Sequence, residues 1–172
     1  NGIGQVNISG GTITAVANTT GTAIGGGIAH TGDGGTSDVT ISGGTVYAYN
    51  YGLPAYRTVS KYGSAPQSVI NASKHIAGTA IGGGSSIMSA GNSSEAKVTI
   101  SGGTVYAESL GGCAIGGGNS VNTTAGSASV TISGGEVIAV SKGDSNYENI
   151  GFVVSPSVAI GGGRGGVSGN GG

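Results

Sequence analysis

One decapeptide returns four times along this chain. Val-Asn-Ile-Ser-Gly-Gly-Thr-Ile-Thr-Ala begins at Val6, and close copies begin at Val39, Val98 and Val130. Between the copies runs a second motif, Ala-Ile-Gly-Gly-Gly, beginning at Ala23, Ala80, Ala114 and Ala159, so the two alternate strictly, four times each. A short unit of this kind cannot bury an apolar face by itself. It buries one by stacking on its neighbours, which restricts the chain to repeat architectures.

Within the decapeptide, alternation places Val39, Ile41, Val46 and Ala48 on one face and Thr40, Ser42, Thr45 and Tyr47 on the other, with Gly43-Gly44 between the two halves. The pattern predicts two short half-buried strands around a corner. Glycine suits that corner because a tight bend demands positive φ or leaves no room for a Cβ. Ala-Ile followed by three glycines predicts a third short strand and a further corner. Three strands per unit give one coil of a right-handed parallel β-helix, all-β, of about four coils, each adding about 4.8 Å. Equivalent residues then stack: Ile8, Ile41, Ile100 and Ile132 in one inward column, Ile24, Ile81, Ile115 and Ile160 in another, and Ser9, Ser42, Ser101 and Ser133 in an outward one. Antiparallel hairpins in a sandwich are the weaker alternative, because hairpins do not require every unit to repeat its sequence.

The spacing places the irregularities. From Ile24 to Ile41, Ile81 to Ile100 and Ile115 to Ile132 the separations are 17, 19 and 17 residues. From Ile8 to Ile24, Ile41 to Ile81, Ile100 to Ile115 and Ile132 to Ile160 they are 16, 40, 15 and 28. Every large insertion therefore enters at one point of the coil, and a solenoid projects that point along one edge, often the binding face. The chain reads as a single domain, 1–172, with insertions of coils two and four at about 49–74 and 141–157. Its abrupt glycine-rich ends suggest a segment of something longer, or a processed mature chain.

Composition removes several function classes. With 6 Lys+Arg against 7 Asp+Glu the net charge is -1, which gives no electrostatic footprint for nucleic acid. The sequence has no apolar run of about 20 residues, so membrane insertion is not expected. The 40 glycines raise the question of low-complexity disorder, but they recur in clusters beside β-branched residues, as an ordered repeat requires. The single Cys113 has no partner for an internal disulfide and, beside Ala114 and Ile115, reads as a small core residue.

The insertions concentrate the aromatic side chains. Tyr49, Tyr51, Tyr56, Tyr62, Tyr147 and Phe152 fall within them, and the other two of the chain's eight Tyr and Phe residues, Tyr47 and Tyr106, occupy one outward position just before the insertion point. Flat Tyr rings offer apolar area with a polar tip and little entropy to lose, which suits sugar stacking or protein contact, and Arg57 or the lysines of the same corner, Lys61, Lys74 and Lys142, add hydrogen bonds to hydroxyls or carboxylates. The aromatic corner (Tyr47, Tyr49, Tyr51, Tyr56, Tyr62, Tyr106, Tyr147, Phe152 and Arg57) is the candidate ligand site. The competing role is packing of the insertions on the solenoid wall.

A catalytic reading finds little support in the residues. Paired carboxylates, or a base beside Ca²⁺-holding acids, are what sugar cleavage needs. The seven acids do not recur at equivalent positions of the repeat, and His30 and His75 are isolated. Asp33 and Asp38 are spaced to share a Ca²⁺ in a loop, although two acids in a Gly-rich turn are ordinarily solvated turn formers. No other cofactor is expected.

The combination of Val-Thr-Ile-Ser-Gly-Gly-Thr-Val with Ala-Ile-Gly-Gly-Gly resembles the Gly-rich repeats of secreted or wall-attached bacterial surface proteins, which look like pectate-lyase-like right-handed β-helix modules, some of them carbohydrate-binding and non-catalytic. The resemblance covers the four core coils and not the insertions. It implies an extracellular, non-enzymatic adhesion or glycan-binding module whose partner is a glycan or a cell-surface protein. The alternative is a structural spacer or a filament subunit that self-associates end to end through open solenoid edges.

Overall fold

A computed structural model describes residues 2–29, 32–52, 78–86, 93–120, 123–143, 158–163 and 165. Each coil contributes three strands. They are β1 (Ile3–Ile8), β2 (Thr12–Ala17) and β3 (Ile24–Gly25) in the first; β4 (Thr36–Ile41), β5 (Thr45–Asn50) and β6 (Ile81–Gly82) in the second; β7 (Ala96–Ile100), β8 (Thr104–Ser109) and β9 (Ile115–Gly116) in the third; and β10 (Ala128–Ile132), β11 (Glu136–Ser141) and β12 (Ile160–Gly161) in the fourth. They assemble into three four-stranded sheets, ordered β1-β4-β7-β10, β2-β5-β8-β11 and β3-β6-β9-β12. Every pairing is parallel and follows the sequence repeat. The chain is a right-handed parallel β-helix of four coils. A further single-residue ladder, Ala29–Ser86–Ser120, lies outside the three sheets.

The core columns form as the alternation predicts. Ile8, Ile41, Ile100 and Ile132 are in register, as are Ile24, Ile81, Ile115 and Ile160. Burial grades with position in the stack: Ile41, Ile81, Ile100 and Ile115 are 0% exposed, whereas Ile132 and Ile160 in the last coil are 44% and 40% exposed. Only a coil with neighbours on both sides closes fully. Cys113 is buried, its Sγ–H donates to the Gly162 carbonyl at 2.8 Å, and burial pushes the thiol up to about 11.

The corner glycines meet two demands, conformation and space, and the second of each pair meets both, since a Cβ on Gly44, Gly103 or Gly135 would lie 2.5 to 2.6 Å from a carbonyl oxygen one coil below. Gly44, Gly103 and Gly135 have φ of 87°, 85° and 88°, the left-handed region that glycine enters without penalty. The preceding Gly43, Gly102 and Gly134 lack a positive φ and are needed for space alone. A Cβ on them would lie 2.6 to 2.7 Å from the carbonyl oxygen of the serine one coil below.

One inward column is polar. Ala17, Asn50, Ser109 and Ser141 are in register at the end of the second sheet, just where the chain leaves the strand. Asn50 donates to the Gly21 and Thr79 carbonyls and accepts from the Gly52 amide. Ser109 donates to the Gly78 carbonyl and accepts from the Gly112 amide, and Ser141 donates to the Gly112 carbonyl. These side chains supply hydrogen-bond partners to the loop backbone beside the strand ends. They fasten the loop that follows each of these strands, which in coils two and four is the root of an insertion. Asn50 lies on β5 itself, so the second coil keeps its strand through that residue.

A tyrosine ladder as the candidate binding site

The outer face of the second sheet carries the site. Alternation along β5 and β8 turns Val46, Ala48, Val105 and Ala107 inward, all fully buried, and leaves Tyr47, Tyr49, Tyr106 and Glu108 on the opposite face. Parallel register then sets Tyr47 beside Tyr106 and Tyr49 beside Glu108 in adjacent coils. The outward column through Tyr47 and Tyr106 begins at Thr14 and ends at Ile138; its neighbour runs Val16, Tyr49, Glu108, Val140.

Three rings touch. Tyr49 stacks on Tyr51 with centroids 5.7 Å apart and an interplanar angle of 20°, and it meets Tyr106 at 5.7 Å and 47°. Offset and tilted pairs of this kind are the favoured aromatic geometries. Tyr47 and Tyr51 remain exposed, while Tyr49 and Tyr106 are half-buried, so the cluster is held from beneath and open above. Exposed Val16 and Ile138 extend the apolar surface into the first and fourth coils.

A charged group borders the rings. Glu108 is buried; its Oε1 lies 2.6 Å from Lys142 Nζ, and its Oε2 accepts from the Tyr106 hydroxyl at 2.7 Å. The bond from Lys142, then that from Tyr106, holds the carboxyl below its usual range against the opposing effect of burial. The same contact raises the Tyr106 phenol, since its proton is held by a carboxylate. Glu108 therefore fixes the Tyr106 ring in the ladder and carries a compensated charge.

Of the residues marked in the sequence, Tyr47, Tyr49, Tyr51 and Tyr106 are brought together here. Tyr56, Arg57, Tyr62, Tyr147 and Phe152 lie outside the described residues. Asp38 sits on β4, in register with Lys97 of the next coil, and the two form an ion pair at 3.1 Å. Asp33 lies in the loop that leads to β4. Glu108 was not among the sequence candidates, and Lys142, one of the corner lysines expected to bond to hydroxyls or carboxylates, is taken up by Glu108 of the chain itself. Aligning the repeats would have shown Glu108 beside Tyr49, but Lys142 follows the end of a strand, where spacing alone does not aim a side chain.

Parallel in-register coils, glycine corners and an aliphatic interior define the class, a β-helix repeat protein. Within that class, a family model described as a β-helix repeat matches residues 39–55 and 98–119. Those segments carry β5 and β8 with the tyrosine ladder. The match supports the resemblance to pectate-lyase-like β-helix repeats that the two motifs suggest. A comparison with curated proteins and one with solved structures each found no match.

Proposed function

We propose that this β-helix is a non-catalytic recognition module of an extracellular protein, and that the tyrosine ladder takes a glycan. β-Helix repeats serve enzymes and non-enzymes alike, so the scaffold does not decide the chemistry. The observation that carries the reading is the open ring cluster of Tyr47, Tyr49, Tyr51 and Tyr106 on a rigid sheet face. Sugar rings present flat C–H faces that stack on aromatic rings, and phenol hydroxyls bond to the sugar's rim. Rings fixed by a parallel sheet lose little further freedom on binding. Glu108, paired with Lys142 and held below its usual range, is not poised to act as a general acid at neutral pH.

A glycan array with wild type and the Tyr47→Ala/Tyr106→Ala variant tests the reading. Both side chains point away from the core, so the variant is expected to keep its fold and to lose glycan binding at least roughly tenfold, as truncation of a stacking anchor does. Undiminished binding by the folded variant would sink it. A second reading, a structural unit that lengthens by adding coils end to end, is favoured by the outer strand edges of the first and fourth coils, which are unpaired among the described residues, and by the exposure of Ile132 and Ile160.

A further inference from the structure

We propose that the tyrosine ladder takes uncharged glycans and turns acidic ones away, and that the ion pair of Glu108 with Lys142 sets this choice. The inference rests on the glycan reading just given and names the chemical class of the ligand.

The face around the rings has two unlike margins. Outward residues of the second sheet form three columns, and the one through Thr14, Tyr47, Tyr106 and Ile138 is the middle one. On one side stand Thr12, Thr45 and Thr104, a run of hydroxyls that ends at Glu136 in the fourth coil. On the other stand Val16, Tyr49, Glu108 and Val140, with Lys142 meeting Glu108 from just beyond β11. The columns follow the solenoid axis over three coil steps, roughly 14 Å. A strip with an aromatic centre and a hydroxyl margin matches an extended sugar chain, whose flat C–H faces stack while its rim hydroxyls bond. An apolar protein surface laid on the same strip would cover the threonine hydroxyls and leave them unpaired.

Hydrogen-bond polarity then narrows the class. The Tyr106 hydroxyl gives its proton to Glu108 Oε2, so what it holds out to a ligand is lone pairs. A sugar hydroxyl donates to such an oxygen. An ionised carboxylate only accepts, and the two would repel. Charge acts in the same direction. The ammonium of Lys142 lies 2.6 Å from a Glu108 side chain that is 9% exposed, so a ligand acid would meet a cation already neutralised, beside the buried carboxylate that neutralises it. The Lys142 side chain is itself 51% exposed and keeps hydrogens for a sugar hydroxyl, a contact that needs no net charge. Among the described residues this face holds two carboxylates, Glu108 and Glu136, against the one ammonium of Lys142, which leaves one net negative charge. The whole chain also carries a net charge of -1, so no wider field draws an anion in.

The test prints neutral oligosaccharides and their C6-carboxylate counterparts, matched in length and linkage, on one array. It reads wild type, Glu108→Gln, Lys142→Gln and Asp38→Asn at low and high salt. Wild type is expected to bind neutral chains at least roughly tenfold better than their acidic counterparts, the difference of one charged contact refused. Glu108→Gln frees the ammonium and is expected to raise the ratio of acidic to neutral binding at least roughly tenfold, a gain that shrinks in high salt. Lys142→Gln leaves the carboxylate uncompensated and is expected to lower that ratio. The ratio separates ligand choice from lost stability or ring order, which would weaken both kinds of binding alike. Asp38→Asn removes the same charge from the first sheet, where Asp38 pairs with Lys97, and is expected to leave the ratio in place. Wild type that binds no glycan, as a module for a protein partner would behave, overturns this inference together with the glycan reading. Wild type that prefers acidic chains overturns this inference and leaves the glycan reading standing. A ratio that Glu108→Gln does not raise, that Lys142→Gln raises, or that Asp38→Asn moves as far as Glu108→Gln does overturns the role of the ion pair.

Discussion

At the scale of single residues the most informative group is Glu108 with its two partners. Lys142 and Tyr106 hold its carboxyl below the value of about 4.3 expected of a free glutamate. A depressed folded value means that the pair stabilises the fold above that unfolded value, and that the contribution fades as pH falls through the lower, folded one. Tyr106 has the opposite sign. Its phenol is raised chiefly by the hydrogen bond to Glu108, so the contribution is present below about pH 10 and is lost as pH rises through the elevated folded value. The contact is therefore intact throughout the neutral range. Replacing Lys142 with Ala removes the largest cause of the depression and is expected to move the Glu108 titration upward, followed by the side-chain carboxyl carbon in NMR. A titration left in place would show that Lys142 does not hold the carboxylate.

At the scale of elements, stability follows the number of neighbours a strand has. Ile100 on β7 is 0% exposed between β4 and β10, while Ile132 holds the same column on the terminal strand β10 and is 44% exposed. Truncating the first leaves a cavity that its neighbours cannot close, and Ile100→Ala is expected to cost about 2–5 kcal/mol. Ile132→Ala removes a side chain already half in water and is expected to cost about 1 kcal/mol. Equilibrium denaturation in urea measures both, and equal losses would contradict the graded core. The same repeats explain what the sequence made legible. Period-two alternation in Val39–Ala48, with glycines at fixed offsets, contains enough to deduce strands, corners, parallel stacking and the position of each inward isoleucine. It could not reveal the inward column of Asn50, Ser109 and Ser141, because those residues vary in type and their role depends on loop carbonyls placed by the fold. The tyrosine site was legible where it follows the repeat, at Tyr47 and Tyr106. Beyond the strand the ring contacts of Tyr51 and the ion pair of Lys142 depend on how the chain turns after Asn50 and Ser141, which no periodicity encodes.

At the scale of the whole molecule, a stack of coils behaves as a one-dimensional array in which each member is stabilised mainly by its neighbours. Among the described residues, coils two and three have two neighbours each and contain the residues with no exposure, whereas coils one and four have one. Opening from the ends therefore breaks one interface and releases one coil, while opening the middle breaks two. Amide exchange in dilute protein should rank accordingly: slowest in β4, β5, β7 and β8, faster in β1 and β2, and fastest in β10, β11 and β12, where Ile132 and Ile160 are already open to water. Concentration supplies the discriminating step. If copies stack head to tail, the amides of both edges gain partners, and protection in β1 and β10 should rise together with protein concentration while that of β7 stays constant. Hydrogen–deuterium exchange read by mass spectrometry at two concentrations measures this directly. Coupled protection at the two opposite ends would distinguish coil addition from side-by-side aggregation through the tyrosine face, which would slow β5 and β8 instead and leave the terminal edges as they were.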